Sequence, residues 1–77
     1  MIEKQYTPFC DMQGNKIAVG DRLEVSEDYI SGRVTSIGVV KFSESYNDYI
    51  IAEFENGWAD RFLGVHYFRS RIVDNGK

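Results

Sequence analysis

Residues 11–25, Asp-Met-Gln-Gly-Asn-Lys-Ile-Ala-Val-Gly-Asp-Arg-Leu-Glu-Val, constrain the fold of this chain more than any other stretch. Asp11 to Asn15 is a turn cluster, and an aspartate at its entry can accept a hydrogen bond from the backbone two residues on. Lys16 to Val19 is short and extended. Gly20-Asp21 is a second turn, after which Arg22 to Val25 alternates polar and apolar, as a half-buried strand does. Leu23 and Val25 face a core, and Ile17 and Val19 join them. A chain that enters its core twice in fifteen residues between turns belongs to a small all-β domain.

The remainder agrees. Met1 to Cys10 has no clean period and reads as an N-terminal arm, in which Tyr6, Phe9 and Cys10 can pack and Pro8 suits an edge or entry segment. Ser26 to Ser31 reads as a long loop. Gly32 to Phe42 is dense in β-branched residues, and its apolar parity switches near Ile37-Gly38, which predicts a bulge or bend there. Ser43 to Asp48 is a polar loop, and Tyr49 to Phe54 is a strand. Asn56-Gly57 between extended runs predicts a two-residue type I′ hairpin turn. Leu63 to Phe68 has room for one helical or 3-10 turn, Arg69 to Val73 for a last strand, and 74–77 for a frayed tail. The 77 residues bound one domain over 1–77. The order of elements predicts a five-stranded SH3-like barrel with a 3-10 turn before the last strand. An OB-fold, the alternative, ordinarily carries a helix and more residues.

The motif Asp11-x-x-Gly14-x-x-Ile17-x-x-Gly20-Asp21-x-x-x-Val25 resembles the N-terminal part of YopX-like proteins, small β-rich proteins of phages and prophages. Gly32-Arg33-Val34, Val39 to Phe42 and Phe54 to Gly57 are also similar to small phage-type barrels. The resemblance implies a bacterial or phage cytoplasmic protein and no catalytic residues.

Composition narrows the function. Apolar residues make up 43% and aromatics 14%, enough for a ring-rich core. Cys10 is the single cysteine, so no internal disulfide forms, and a chain this small without one reads as cytoplasmic. No apolar run approaches the ~20 residues of a membrane span. Cys10 and His66 have no metal-ligand spacing, and the carboxylate pairs Glu27-Asp28 and Glu53/Glu55 suit solvated faces. No metal, cofactor or enzymatic activity is therefore expected. The net charge of −3 disfavours nucleic acid, whose affinity comes largely from neutralised phosphates. Charge is nevertheless uneven: 21–28 is acidic, while 61–71 holds Arg61, Arg69, Arg71 and His66 with no acid.

One binding surface is expected, for a protein partner, and a second is the alternative, for nucleic acid. The first joins the Ser26–Ser31 and Ser43–Asp48 loops, with Tyr29 and Tyr46 flanked by Glu27, Asp28, Glu44 and Asp48; rings and carboxylates together suit a cationic segment of a protein partner. The second is a basic patch of Arg33, Arg61, Arg69 and Arg71, with Tyr67 or Phe68 stacking on bases. The competing reading of the tyrosines is that they cover the ends of the barrel, and Trp58, beside a turn, has a core or cross-strand role. Self-association through exposed strand edges is a further way for a small barrel to act.

Overall fold

The computed structural model describes residues 4–74. Its first two strands, β1 (Tyr6–Cys10) and β2 (Lys16–Ala18), form an antiparallel ribbon around the Asp11–Asn15 turn. Of the arm expected over 1–10, Tyr6–Cys10 is thus a paired strand, while 1–3 lie outside the described residues. Five strands follow: β3 (Arg22–Tyr29), β4 (Gly32–Ser43), β5 (Asp48–Ala52), β6 (Arg61–Phe62) and β7 (Ser70–Asp74). They form one antiparallel sheet in the order β6-β5-β4-β3-β7. A helical turn, α1 (Leu63–His66), and a 3-10 turn at Tyr67–Arg69 separate β6 from β7, as the sequence predicts. The frayed tail was expected at 74–77, but Asp74 pairs with Arg22 at the end of β7, and 75–77 lie outside the described residues.

Ile17, Leu23, Val25, Val40, Ile51, Phe54 and Leu63 form the buried core, with Phe9, Tyr49, Trp58, Tyr67 and Ile72 packed at its margin. Burying each large aliphatic side chain contributes about 1.5–3 kcal/mol. The sheet is not closed by backbone pairing: among the described residues its edge strands β6 and β7 do not pair with each other. The ribbon and the helical turns lie along this opening. Phe9 stacks on Tyr67 at 5.0 Å, and a Cβ on Gly64 would approach its ring within 3.2 Å.

Five polar residues, Thr7, Asp11, Asp21, Ser36 and Ser70, are buried among the described residues, and each binds backbone: Ser36 Oγ accepts from the Asn56 N–H and Ser70 Oγ donates to the Tyr67 carbonyl. Thr7 donates its hydroxyl to the Ile17 carbonyl at 2.9 Å, and Asp21 Oδ2 accepts the Ala18 N–H at 2.8 Å. Asp11 Oδ1 accepts from Gln13 and Asn15, and its Oδ2 accepts from Ile72. The Met12 N–H donates to the Ser70 carbonyl. The turn thereby occupies hydrogen-bonding groups on the outer edge of β7, which would otherwise offer a template for pairing.

Three expectations are corrected. Ser26–Ser31 is no long loop: β3 runs to Tyr29 and turns through Ile30-Ser31 onto Gly32. Its polar residues find cross-strand partners, Ser26 Oγ with Thr35 Oγ1 at 3.0 Å and Asp28 with Arg33 at 2.9 Å, which hold a strand without an apolar face. Second, β4 keeps one parity, with Ser36, Gly38 and Val40 buried and no register shift against β3. Gly38 is a place of close approach: a Cβ there would lie 2.7 Å from Ile51 Cγ2 and 2.9 Å from the Ala52 carbonyl oxygen. The bend sits on the neighbouring strand, where Glu53 takes φ 55° immediately after β5. Third, Asn56-Gly57 is not a two-residue hairpin. The Gly57 N–H closes a turn onto the Phe54 carbonyl, only Gly57 of the pair has positive φ, and eight residues separate β5 from β6.

Candidate binding surface

The β3–β4 hairpin divides at Ser26. Its proximal half crosses the core, whereas residues 28–35 are exposed throughout and form an arm on a molecule extending 45 × 28 × 20 Å. Ile30 at the tip is fully exposed, and Tyr29 beside it is 46% exposed. Alternation gives the arm two faces: Glu27 and Tyr29 share one, Ser26 and Asp28 the other.

On the first face Glu27 reaches across the open side of the sheet. Its Oε2 accepts from Arg61 Nε of β6 at 2.8 Å, and its Oε1 accepts the Tyr29 hydroxyl at 2.7 Å. His66 Nε2 stands 3.5 Å from the same carboxylate, while His66 Nδ1 donates to the Phe62 carbonyl at 3.1 Å, since a carbonyl only accepts. The Arg61 guanidinium lies over Trp58 at 5.3 Å and Phe54 at 5.9 Å, and it also donates to the Ala59 carbonyl. The arginine hydrogen bond, joined by that of Tyr29, holds the Glu27 carboxyl below its usual range, and the bond to Glu27 raises the Tyr29 phenol. Arg61 is raised by the same partner. Trp58 therefore has the core-margin role expected of it, as a platform for Arg61 and an edge-on neighbour of Phe54 at 5.3 Å.

Tyr46 lies in the β4–β5 turn, in edge contact with Phe62 at 5.0 Å. These two rings, with Ile50, Asp60 and Arg61, line a shallow cavity of about 40 Å³. The pair covers Ile50, which is why β5 is buried on both faces, yet Tyr46 remains 61% exposed. Asp48, expected in the loop, is the first residue of β5, opposite Ser43, and its Oδ1 accepts from the Tyr49 N–H. Tyr29 and Tyr46 thus have Arg61 as a common neighbour, although no contact joins the two rings directly. Arg61 is the shared neighbour, which the sequence assigns to the other surface. The polar character of residues 26–28 hid a strand that reaches β6.

Three of the four arginines of the expected basic patch are neutralised. Arg61 pairs with Glu27, Arg33 with Asp28 and Arg71 with Glu24, the last at 3.2 Å. All three acids come from β3, and two of the pairs, Glu27–Arg61 and Glu24–Arg71, join the acidic stretch of the sequence to the basic one. Arg69 differs: it lies over the Phe68 ring at 5.3 Å and has no carboxylate partner among the described residues. Tyr67 stacks inward on Phe9 and touches Phe68 edge-on, so Phe68, not Tyr67, is the exposed ring beside Arg69.

Among the described residues no cluster of three or more His, Cys, Asp or Glu side chains is placed to hold a metal ion. No helix is long and apolar enough to cross a membrane. Comparison of the chain with protein-family models, curated proteins and solved structures finds no match.

Proposed function

We propose that this protein is a small, non-catalytic, cytoplasmic interaction module that binds a partner protein through the aromatic surface around Arg61 and the adjoining arm. The observation that carries the reading is the arm itself: Ile30 is fully exposed at its tip, beside the half-exposed Tyr29. Neither packing nor turn geometry calls for a β-branched apolar residue there, and loops on a rigid scaffold are where binding residues concentrate. Because Glu27 and Asp28 already hold Arg61 and Arg33, the partner meets rings and an apolar tip; a cation alone would have to displace an arginine. The order of elements supports an SH3-like ancestry for the scaffold: four strands in a meander, a 3-10 turn, and a last strand returning beside the first. The YopX-like resemblance at Asp11–Val25 adds a phage or mobile-element origin to the proposal. Three neutralised arginines make nucleic acid the weaker alternative.

The test is affinity capture from bacterial lysate with the wild type, Ile30→Ser/Tyr29→Ala and Tyr46→Ala. The variants should retain the wild-type circular dichroism spectrum and lose a partner that the wild type captures. Recovery of the same proteins by all three chains would remove this surface as the site.

A further inference from the structure

The second face of the arm looks onto a separate groove. Ser26, Asp28 and Arg33 form one wall, and Met12, Phe68 and Arg69 form the other, around an open volume of about 190 Å³. We infer that this groove binds an acidic, apolar-bearing segment of a protein: one carboxylate on Arg69 and one aliphatic or aromatic side chain between Met12 and Phe68.

Four observations support the assignment. Met12 and Phe68 are 61% and 53% exposed; the backbone at Met12 is fixed by Asp11 and by the Met12–Ser70 hydrogen bond, and Phe68 is packed edge-on against Tyr67. Their exposure therefore belongs to a held surface, where a ligand pays little ordering entropy. Arg33 is engaged by Asp28, whereas Arg69 has no carboxylate among the described residues. The groove thus holds two cations against one carboxylate on a chain of net charge −3. Stacking on Phe68 orients the planar guanidinium and leaves its N–H edges for a bidentate carboxylate.

The dimensions fit a peptide. Arg69 stands 5.3 Å from the Phe68 ring, and same-face side chains of an extended segment stand about 7 Å apart, so residues i and i+2 of one strand reach both. The volume is well below the roughly 300 Å³ at which small-molecule pockets begin. A single-stranded nucleic acid fits less well: Arg69 alone offers an unmatched cation, and Glu24, Glu27 and Asp28 line β3 nearby. Neither Tyr29 nor Tyr46 lines this groove, so it stands or falls independently of the surface around Arg61.

The experiment is NMR titration of the full chain with capped peptides carrying Glu-Ser-Leu, Lys-Ser-Leu or Glu-Ser-Ser, and with oligothymidylate, to concentrations on the order of 1 mM. The Glu-Ser-Leu peptide should move the Met12 methyl and the Phe68 and Arg69 amides, and added salt should weaken it. Arg69→Gln, an exposed change that leaves melting unaltered, should reduce its affinity about tenfold. Lys-Ser-Leu and Glu-Ser-Ser should bind much less. Absence of shifts with Glu-Ser-Leu, equal shifts with Lys-Ser-Leu, or unchanged affinity in Arg69→Gln would overturn the inference. Stronger shifts of the same residues by oligothymidylate would reassign the groove to nucleic acid.

Discussion

Replacing Asp11 tests whether one carboxylate joins the N-terminal ribbon to the sheet. Its oxygens accept three backbone N–H groups, from Gln13 at 3.0 Å, Asn15 at 2.8 Å and Ile72 at 3.0 Å, and the side chain is buried. Hydrogen bonds to a charged acceptor contribute about 1.5–3 kcal/mol each when no water replaces them. Gln13 and Asn15 lie in an exposed turn where water can substitute, so Asp11→Ala should cost about 2–4 kcal/mol in all. For a chain of this size, with total stability of roughly 4–12 kcal/mol, that is a large share. Melting should fall by roughly 8–32 °C, at about 4–8 °C per kcal/mol. Asp11→Asn separates charge from shape. Its amide oxygen can keep the two turn bonds, but its NH₂ group then meets the Ile72 N–H, donor against donor. It should lie between wild type and Asp11→Ala. Burial raises the Asp11 carboxyl, and the three N–H bonds together outweigh it and leave the group below its usual range. A depressed carboxyl stabilises the fold above its unfolded value, about 3.9, and this contribution disappears as pH falls through the folded value. The wild type should therefore lose its advantage over Asp11→Asn in strong acid. Thermal melts at neutral and acid pH, with hydrogen exchange at Ile72, provide the readout. If Asp11→Ala melts within about 2 °C of wild type and the Ile72 amide stays protected, the carboxylate does not hold the ribbon.

Gly38→Ala should destabilise by about 2–3 kcal/mol, because its Cβ would overlap Ile51 Cγ2 and the Ala52 carbonyl; denaturant unfolding measures the loss. Gly57→Val should cost about 1–3 kcal/mol at a backbone φ of 86°, with open space around the new side chain, and an unaltered midpoint would contradict the strain argument. Glu27→Gln should lower the pH at which Tyr29 ionises, seen in a phenolate absorbance or NMR titration, because the carboxylate that raises it is gone. The same variant should cost about 1–2 kcal/mol near neutrality, from the half-buried bond to Arg61. Glu27 is held low by Arg61, so its contribution is present above the unfolded carboxyl value and is lost as pH falls through the folded one.

Elements with an internal chemical signature were legible in the sequence. The Asp11 turn, the Gly20-Asp21 turn, the alternation at Arg22–Val25 and the helical turn after Phe62 all rest on local backbone preferences. Misreadings occurred where a distant partner decides. Ser26 to Tyr29 has turn-like composition, yet Thr35, Arg33 and Arg61 supply its pairings, and no local rule contains those residues. Gly38 has the composition of a bulge, but its small size serves the passage of Ile51 and Ala52 across it. Asn56-Gly57 has the strongest hairpin composition, yet Phe54 must turn into the core, and that lengthens the connection. Of the candidate surface, Tyr29 and Tyr46 were visible as rings outside the strand pattern, while their shared neighbour Arg61 was not.

The charge pattern shows why composition misleads about sites in a domain this small. Acidic 21–28 and basic 61–71 lie far apart in sequence, and each taken alone looks like a surface for an oppositely charged ligand. The sheet order brings β3 beside β7, and the curl of the sheet brings Glu27 to β6. Glu24 then pairs with Arg71, its cross-strand partner in the β3–β7 ladder, and Glu27 pairs with Arg61 across the open side, where backbone hydrogen bonds do not close the sheet. Surface pairs of this kind contribute little individually, about 0–1 kcal/mol, but Glu27–Arg61 is largely shielded and joined by Tyr29 and His66. The paired charges thus serve the fold. The groups that the ion pairs leave unused are the apolar arm tip, the exposed rings and Arg69, and the proposed binding surfaces are built from these.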